Sequence, residues 1–299
     1  MIELKNITKA FKEDISLSQK YILDNISIKL ELGKIYGLFG KNGSGKTSVL
    51  KIITKLMKPE LGNIHFDKVE KSYKEIAFSS EKVSFFPDLK CREFFLTIKD
   101  IYNIPKPIFE DRLNYFCKIF EIENFLNRKI KYFSQGTLKK VSFISCVLNQ
   151  PKFILLDEPF SGLDFDSRIV LKNEIEDFKT CGGGVLLTSH MFDDVSNLID
   201  EWFYIQNGKI LDTSIEKSWE DDNYFEGYHI EVTDPSGSVH FSKKETSKNL
   251  NRYVFKVLKS EKNKFIKEII SKDCNIESIV LNKLKLGEYF LTLEDRKNS

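Results

Sequence analysis

Residues 1 to about 30 alternate between apolar and polar side chains. Ile2 and Leu4, then Leu23, Ile26, Ile28 and Leu30, mark the apolar positions, and a period of two predicts antiparallel strands. Residues 35–39 form a short apolar run that ends in a Gly-rich loop. Beyond the loop, Val49, Leu50, Ile52, Ile53, Leu56 and Met57 follow helical spacing, until Pro59 and Gly62 stop the helix. Two further stripes, Phe94/Phe95/Ile98/Ile101 and Phe109/Leu113/Phe116/Phe120, predict helices between 91 and about 150 that pack on a core. The runs 153–156 (FILL) and 185–187 (VLL) suit buried parallel strands. A strand, loop and helix followed by later buried strands predicts an α/β domain with a parallel sheet.

The pattern changes near residue 211. Segments 228–233, 239–241 and 253–258 read as strands, and Phe265, Ile266, Ile269 and Ile270 as a helix. Residues 276–281 read as another strand, and Leu286, Tyr289, Phe290 and Leu293 have helical spacing. The expected organisation is a main domain over 1–214 and a small α+β extension over 215–299. No internal repeat or low-complexity linker interrupts it.

Composition narrows the function. A chain of 299 residues with 41% hydrophobic content can build a main domain plus a smaller one. Lys+Arg is 46 against 44 Asp+Glu, a net of +2, which gives no global field for steering nucleic acid; no nucleic-acid partner is expected. The start, MIELKNITKAF, has no apolar signal region, and no run of about 18 apolar residues is present to span a bilayer. Any membrane component is therefore expected on another chain. Cysteines 91, 117, 146, 181 and 274 form no CxxC pair and fit free thiols in a reducing compartment. Histidines 65, 190, 229 and 240 show no metal-ligand spacing.

Three motifs carry chemistry. GKNGSGKT, residues 40–47, fits GxxxxGK[ST] and sits between a predicted strand and helix. Its glycines allow a tight turn, so successive N–H groups point at phosphate oxygens, and the helix adds its positive end. Lys46 is placed to reach the β- and γ-phosphates, and the Thr47 hydroxyl to ligate Mg²⁺. In FILLDEP, residues 153–159, an apolar strand delivers Asp157 and Glu158 to the sheet edge where open α/β folds bind ligands. Asp157 suits a Mg²⁺ ligand, and Glu158 a general base for the attacking water. FSQGT, residues 133–137, reads both as a helix N-cap at Ser134 and as a phosphate contact, since a helix N-terminus is an anion site in either case.

In order, GKNGSGKT, FSQGT, LLDEP, SGLD at 161–164 and TSH at 188–190 resemble the ATPase subunit of ABC transporters over about residues 1–210. The resemblance implies a P-loop NTPase core with an antiparallel β subdomain and a helical subdomain at about 91–150. It implies ATP and Mg²⁺ as cofactors, with Gly40, Lys41, Asn42, Gly43, Ser44, Gly45, Lys46 and Thr47 around the phosphates. Ser134, Gln135 and Gly136 would contact ATP held by the opposite subunit of a dimer, and Asp164 would lie in the loop crossing that dimer. Asp157 would be the Walker B acid, Glu158 the catalytic carboxylate and His190 the switch histidine on the γ-phosphate. Some positions depart from the common pattern. FSQGT stands for LSGGQ, with Gln135 in place of the first glycine, as in exporter-type members. Glu81, in AFSSE, stands where a Gln usually contacts Mg²⁺ or water; a carboxylate can serve both roles. For the aromatic on adenine, Phe11 fits best and Tyr21 is the rival.

A single cassette with a short, mixed extension is similar to an exporter-type subunit paired with a separate multi-spanning permease, at the cytoplasmic face of the membrane. The alternatives are an importer subunit, a soluble ABC ATPase, or a sensor that binds ATP without hydrolysing it. The dimer partner is either an identical chain or a paralogue.

Overall fold

The computed structural model describes residues 1–10, 21–67, 74–81, 86–190, 195–211, 227–234, 241, 247–249, 251–258, 261–272 and 274–282. The chain divides into two compact units, Met1–Thr213 and Ser214–Ser299.

In the first unit the alternating N-terminal pattern becomes β1 (Ile2–Ala10) and β2 (Tyr21–Leu30), paired antiparallel. β3 (Ile35–Phe39) is buried throughout and leads through the Gly-rich loop into α1 (Lys46–Ile53). α1 ends before Leu56 and Met57, earlier than the apolar spacing suggests. Lys55 takes φ 60°, a left-handed turn that helices cannot continue through. Then follow β4 (Leu61–Phe66), β5 (Ile76–Ser79), α2 (Cys91–Tyr102), α3 (Lys106–Ile119), α4 (Gln135–Val147) and β6 (Phe153–Leu156). α5 (Phe165–Thr180), β7 (Gly184–Ser189), β8 (Glu201–Gln206) and β9 (Lys209–Leu211) complete the unit.

Two sheets share one core. β2-β1-β4 is antiparallel, and β5-β6-β7-β3-β8-β9 is parallel except for its last pair. Ile2, Leu4, Leu23 and Ile26 from the first sheet pack with Leu38, Leu155 and Leu186 from the second and Leu50 of α1. The strand order positions the chemistry. β7 lies between β6 and β3, and all three run parallel, so the loops that follow each of them emerge on one edge. Motifs about 110 and 140 residues apart in sequence therefore meet.

The second unit is a four-stranded antiparallel sheet of β10 (Gly227–Thr233), β11 (Ser247–Asn249), β12 (Arg252–Leu258) and β13 (Asn275–Asn282), in the order β11-β12-β10-β13. α6 (Lys262–Ser271) covers it through Phe265 and Ile269, against Ile230, Val232 and Phe255. Of the run read as a strand at 239–241, only Phe241 is described. It lies outside any strand, with its ring 4.8 Å from that of Phe255. The helical spacing at 286–293 lies outside the described residues.

Candidate active site

The loop after β3 is shaped by its glycines. Gly40 has φ 153°, and a Cβ there would lie 2.3 Å from the carbonyl oxygen of Ile205. Gly45 has φ 112° and caps α1; a Cβ there would meet Leu23 at 2.6 Å. Side chains at these two positions would collide with β2 and β8, so the loop can lie this close to the sheet only as glycine. Gly43, at φ 80°, needs glycine for its conformation alone. The Ser44 hydroxyl is buried without a hydrogen-bond partner, which is unusual for a native polar group unless a ligand supplies one.

Lys46, the first residue of α1, is buried. Its Nζ donates to the carbonyls of Gly40 at 2.7 Å and Lys41 at 3.3 Å, and stands 3.8 Å from Glu158 Oε1. Burial pulls its pKa below the usual lysine value, against the opposing pull of Glu158, Asp157 and Glu81. Glu81 just beyond β5 thus contributes to the field at Lys46.

A chain of hydrogen bonds then joins the three loops. Thr47 Oγ1 donates to Asp157 Oδ2 at 2.8 Å, and Thr188 Oγ1 donates to Asp157 Oδ1 at 2.7 Å. The Glu158 N–H donates to Thr188 Oγ1 at 2.9 Å. Glu158 Oε2 lies 2.9 Å from His190 Nδ1, while Oε1 is buried with no hydrogen-bond partner. Glu158 itself has φ 48°, a left-handed conformation that side chains other than glycine rarely adopt. A cavity of about 140 Å³ opens beside it, lined by Gly162, Thr188, Ser189 and His190 among others. That is room for a few water molecules beside Glu158.

The hydroxyl of Thr47 and the carboxylate of Asp157 are the hard oxygen donors that suit Mg²⁺. Mg²⁺ takes one or two protein ligands and completes its shell with water and phosphate. No group of three or more acidic, His or Cys side chains suited to a metal occurs among the described residues. The unpaired Ser44 hydroxyl, the glycine cradle and buried Lys46 fit the phosphates of a nucleotide.

The remaining sequence-predicted residues fall in two places. Ser134 caps α4, its Oγ accepting from Thr137 N at 3.2 Å, and Gln135 and Gly136 form the first turn. A Cβ on Gly136 would stand 3.0 Å from the Gly162 carbonyl, so the FSQGT turn abuts the SGLD loop. Asp164 in that loop caps α5, accepting from Ser167 N at 2.7 Å. Phe11 lies outside the described residues, and Tyr21 begins β2 as an exposed residue.

Two residues carry more than the motifs reveal. Thr188, in TSH, is fully buried and holds both Asp157 and Glu158. Lys139 is buried in α4, and its Nζ donates to the carbonyls of Asp157 at 3.2 Å and Glu158 at 3.0 Å. A signal for it is present: Lys139, Ser142, Phe143 and Cys146 share one helical face, so a lysine stands on a buried face beside Phe143 and Cys146.

A family model described as ABC transporter matches residues 23–161. YybJ of Bacillus subtilis (strain 168), described as an uncharacterized ABC transporter ATP-binding protein, is 31% identical over 220 residues, covering 72% of this chain and 96% of YybJ. The lantibiotic transport ATP-binding protein SrtF of Streptococcus pyogenes is 28% identical, over 74% of this chain and 92% of SrtF. Among solved structures, a dimeric bacterial ABC transporter cassette, MJ0796, superposes with a TM-score of 0.60 at 25% identity. That match covers 71% of this chain and 97% of the cassette.

Proposed function

This chain belongs to the ABC transporters as an ATP-binding, ATP-hydrolysing cassette, and from that premise we propose that it drives export through a separate membrane permease. The observation that carries the ATPase mechanism is the continuous network from Thr47 through Asp157 and Thr188 to Glu158 and His190. In this reading Lys46 and the loop N–H groups hold the β- and γ-phosphates. Thr47 and Asp157, with Glu81 nearby, would hold Mg²⁺, which when bound would neutralise phosphate charge. Glu158 accepts the proton of the attacking water at Oε1, which makes no hydrogen bond, and His190 fixes the carboxylate through Oε2 and would face the γ-phosphate. Ser134, Gln135 and Gly136 complete the site of a second subunit in a dimer, and Asp164 lies in the loop between the two. Dimeric solved cassettes support that arrangement.

The export reading rests on the single cassette with its small α+β unit; SrtF, by its name, serves lantibiotic transport. The rival reading is an importer subunit. EcfA2 of Thermotoga maritima, named an energy-coupling factor transporter ATP-binding protein, is 28% identical over 80% of its length. No helix among the described residues is long and apolar enough to cross a membrane, which fits a permease on another chain. A cavity of about 340 Å³, lined by Ile53, Leu56, Phe66, Phe78, Ile98 and Tyr102, lies between α1 and α2 and suits a short helix of that permease. Leu56, which lines this cavity, is exposed, as is Phe86 in the loop before α2; Phe85 lies outside the described residues. The test is to purify the chain from gently solubilised membranes, identify the co-purifying membrane protein, and reconstitute both in vesicles. Cargo moving away from the ATP side supports export, and movement towards it supports import.

A further inference from the structure

We propose that Lys139 is a positioning residue for hydrolysis: its ammonium pins the two peptide carbonyls that hold Glu158 in its left-handed conformation. The inference rests on the reading of Glu158 as the base.

The left-handed backbone at Glu158 does not maintain itself. A non-glycine residue stays there only when its surroundings over-determine it. The peptide before Glu158 is held at its N–H by Thr188 and at its carbonyl, that of Asp157, by Lys139. The carbonyl of Glu158 accepts from Lys139 at 3.0 Å and from the N–H of Ser161 at 3.3 Å. One cation therefore restrains the peptide planes on both sides of the strained residue. These are charge-assisted bonds inside the protein, stronger than neutral ones.

The position of Lys139 argues against a packing role alone. On the buried face of α4 an apolar residue would serve the core without the cost of burying a charge. Burial depresses the pKa of Lys139, and the carboxylates of Asp157, Glu81 and Glu158 oppose that shift. The same face carries Ser142, whose hydroxyl pairs with that of Ser79 at 2.7 Å, and the carbonyl of Ser79 accepts from Asp157 N at 2.8 Å. Two polar residues of one helix thus brace the backbone that presents Asp157 and Glu158.

Releasing the Lys139 bonds lets the peptide planes rotate and swings the Glu158 carboxylate. A misplacement on the order of 1 Å costs about 10²-fold in rate. Lys139→Met keeps the length and apolar bulk of the side chain and removes its donors. The expected result is a kcat about 10–10²-fold below wild type, with ATP affinity within about twofold. In a Glu158→Gln background the same change should lower residual hydrolysis less than about twofold, because residues acting as a unit are non-additive. Lys139→Gln, whose shorter amide reaches at most one carbonyl, should fall between, at least about threefold below wild type.

A folded Lys139→Met protein with kcat within about twofold of wild type would overturn the assignment. So would equal losses with and without Glu158, which mark a structural effect. If Lys139→Met does not fold, Lys139→Gln decides: a wild-type kcat in that variant refutes the role. If Glu158→Gln itself hydrolyses normally, the reading of the base fails first, and the two failures are distinguished.

Discussion

Thr188→Val isolates the junction on which the site depends. Thr188 is fully buried, and its one hydroxyl donates to Asp157 Oδ1 at 2.7 Å and accepts from Glu158 N at 2.9 Å. Valine has nearly the same shape, so no cavity term arises. The substitution removes a hydrogen bond to a charged group, about 1.5–3 kcal/mol, and leaves a buried N–H unpaired, about 1–3 kcal/mol. Water entering the adjoining cavity of about 140 Å³ offsets part of this, leaving a net loss of about 3 kcal/mol. For a unit the size of Met1–Thr213, each kcal/mol lowers the melting temperature by about 2–4 °C, so a drop of about 6–12 °C is expected. Thr188→Ser keeps the hydroxyl and loses one methyl, and should cost only about 1 kcal/mol. Differential scanning calorimetry of the three proteins reads both values. A shift under about 2 °C for Thr188→Val, or equal losses for Val and Ser, would refute the claim that this hydroxyl organises the two carboxylate residues.

Two further predictions follow from other contacts. Lys46→Ala removes the buried cation of the phosphate loop; ATP affinity, read by titration calorimetry, should weaken about 10–10²-fold, and unchanged affinity would contradict the phosphate role. Asp164→Ala removes the cap of α5 and should cost about 1 kcal/mol at neutral pH. The Ser167 side chain and N–H hold the Asp164 carboxyl below its usual 3.8. Its contribution is therefore complete above that value and is lost as pH falls through the lower folded value. The difference in denaturant midpoint between wild type and Asp164→Ala should be constant from pH 5 to 8 and shrink below about pH 4. A difference that grows in acid would contradict the cap.

The motifs marked the loop at residues 40–47, the Asp157–Glu158 pair and His190, which the fold brings together, because each combines a backbone requirement with a chemical group. Gly40 and Gly45 are glycines for want of space, and Lys46 follows them as the first residue of a helix. Apolar runs at 35–39, 153–156 and 185–187 gave the strands, since a strand buried on both faces must be continuously apolar. The strand order was not legible: nothing local tells that β7 separates β6 from β3, because pairing is decided by long-range packing. β8, with its charged start at Glu201 and aromatic centre, gave no clear alternation either. The helical spacing of Leu56 and Met57 overshoots the end of α1, because Lys55 turns left-handed and leaves Leu56 exposed. Thr188 stood inside a motif, yet its double hydrogen bond depends on two strand ends meeting. Lys139 lies on the same helical face as Phe143 and Cys146, but a charge on a buried face names no partner until the tertiary fold supplies one.

We propose Glu158 as the base of an ATP-hydrolysing site in which nucleotide binding rests on Lys46 and the loop at residues 40–47 and proton transfer rests on Glu158. Single-turnover hydrolysis by Glu158→Gln, measured beside ATP binding on the same sample, tests it most directly. Glutamine keeps the shape and the contact to His190 but cannot accept the proton of the attacking water. The expected result is ATP affinity close to wild type with a hydrolysis rate about 10²–10⁴-fold lower. Hydrolysis at the wild-type rate, with ATP bound normally, would contradict the account.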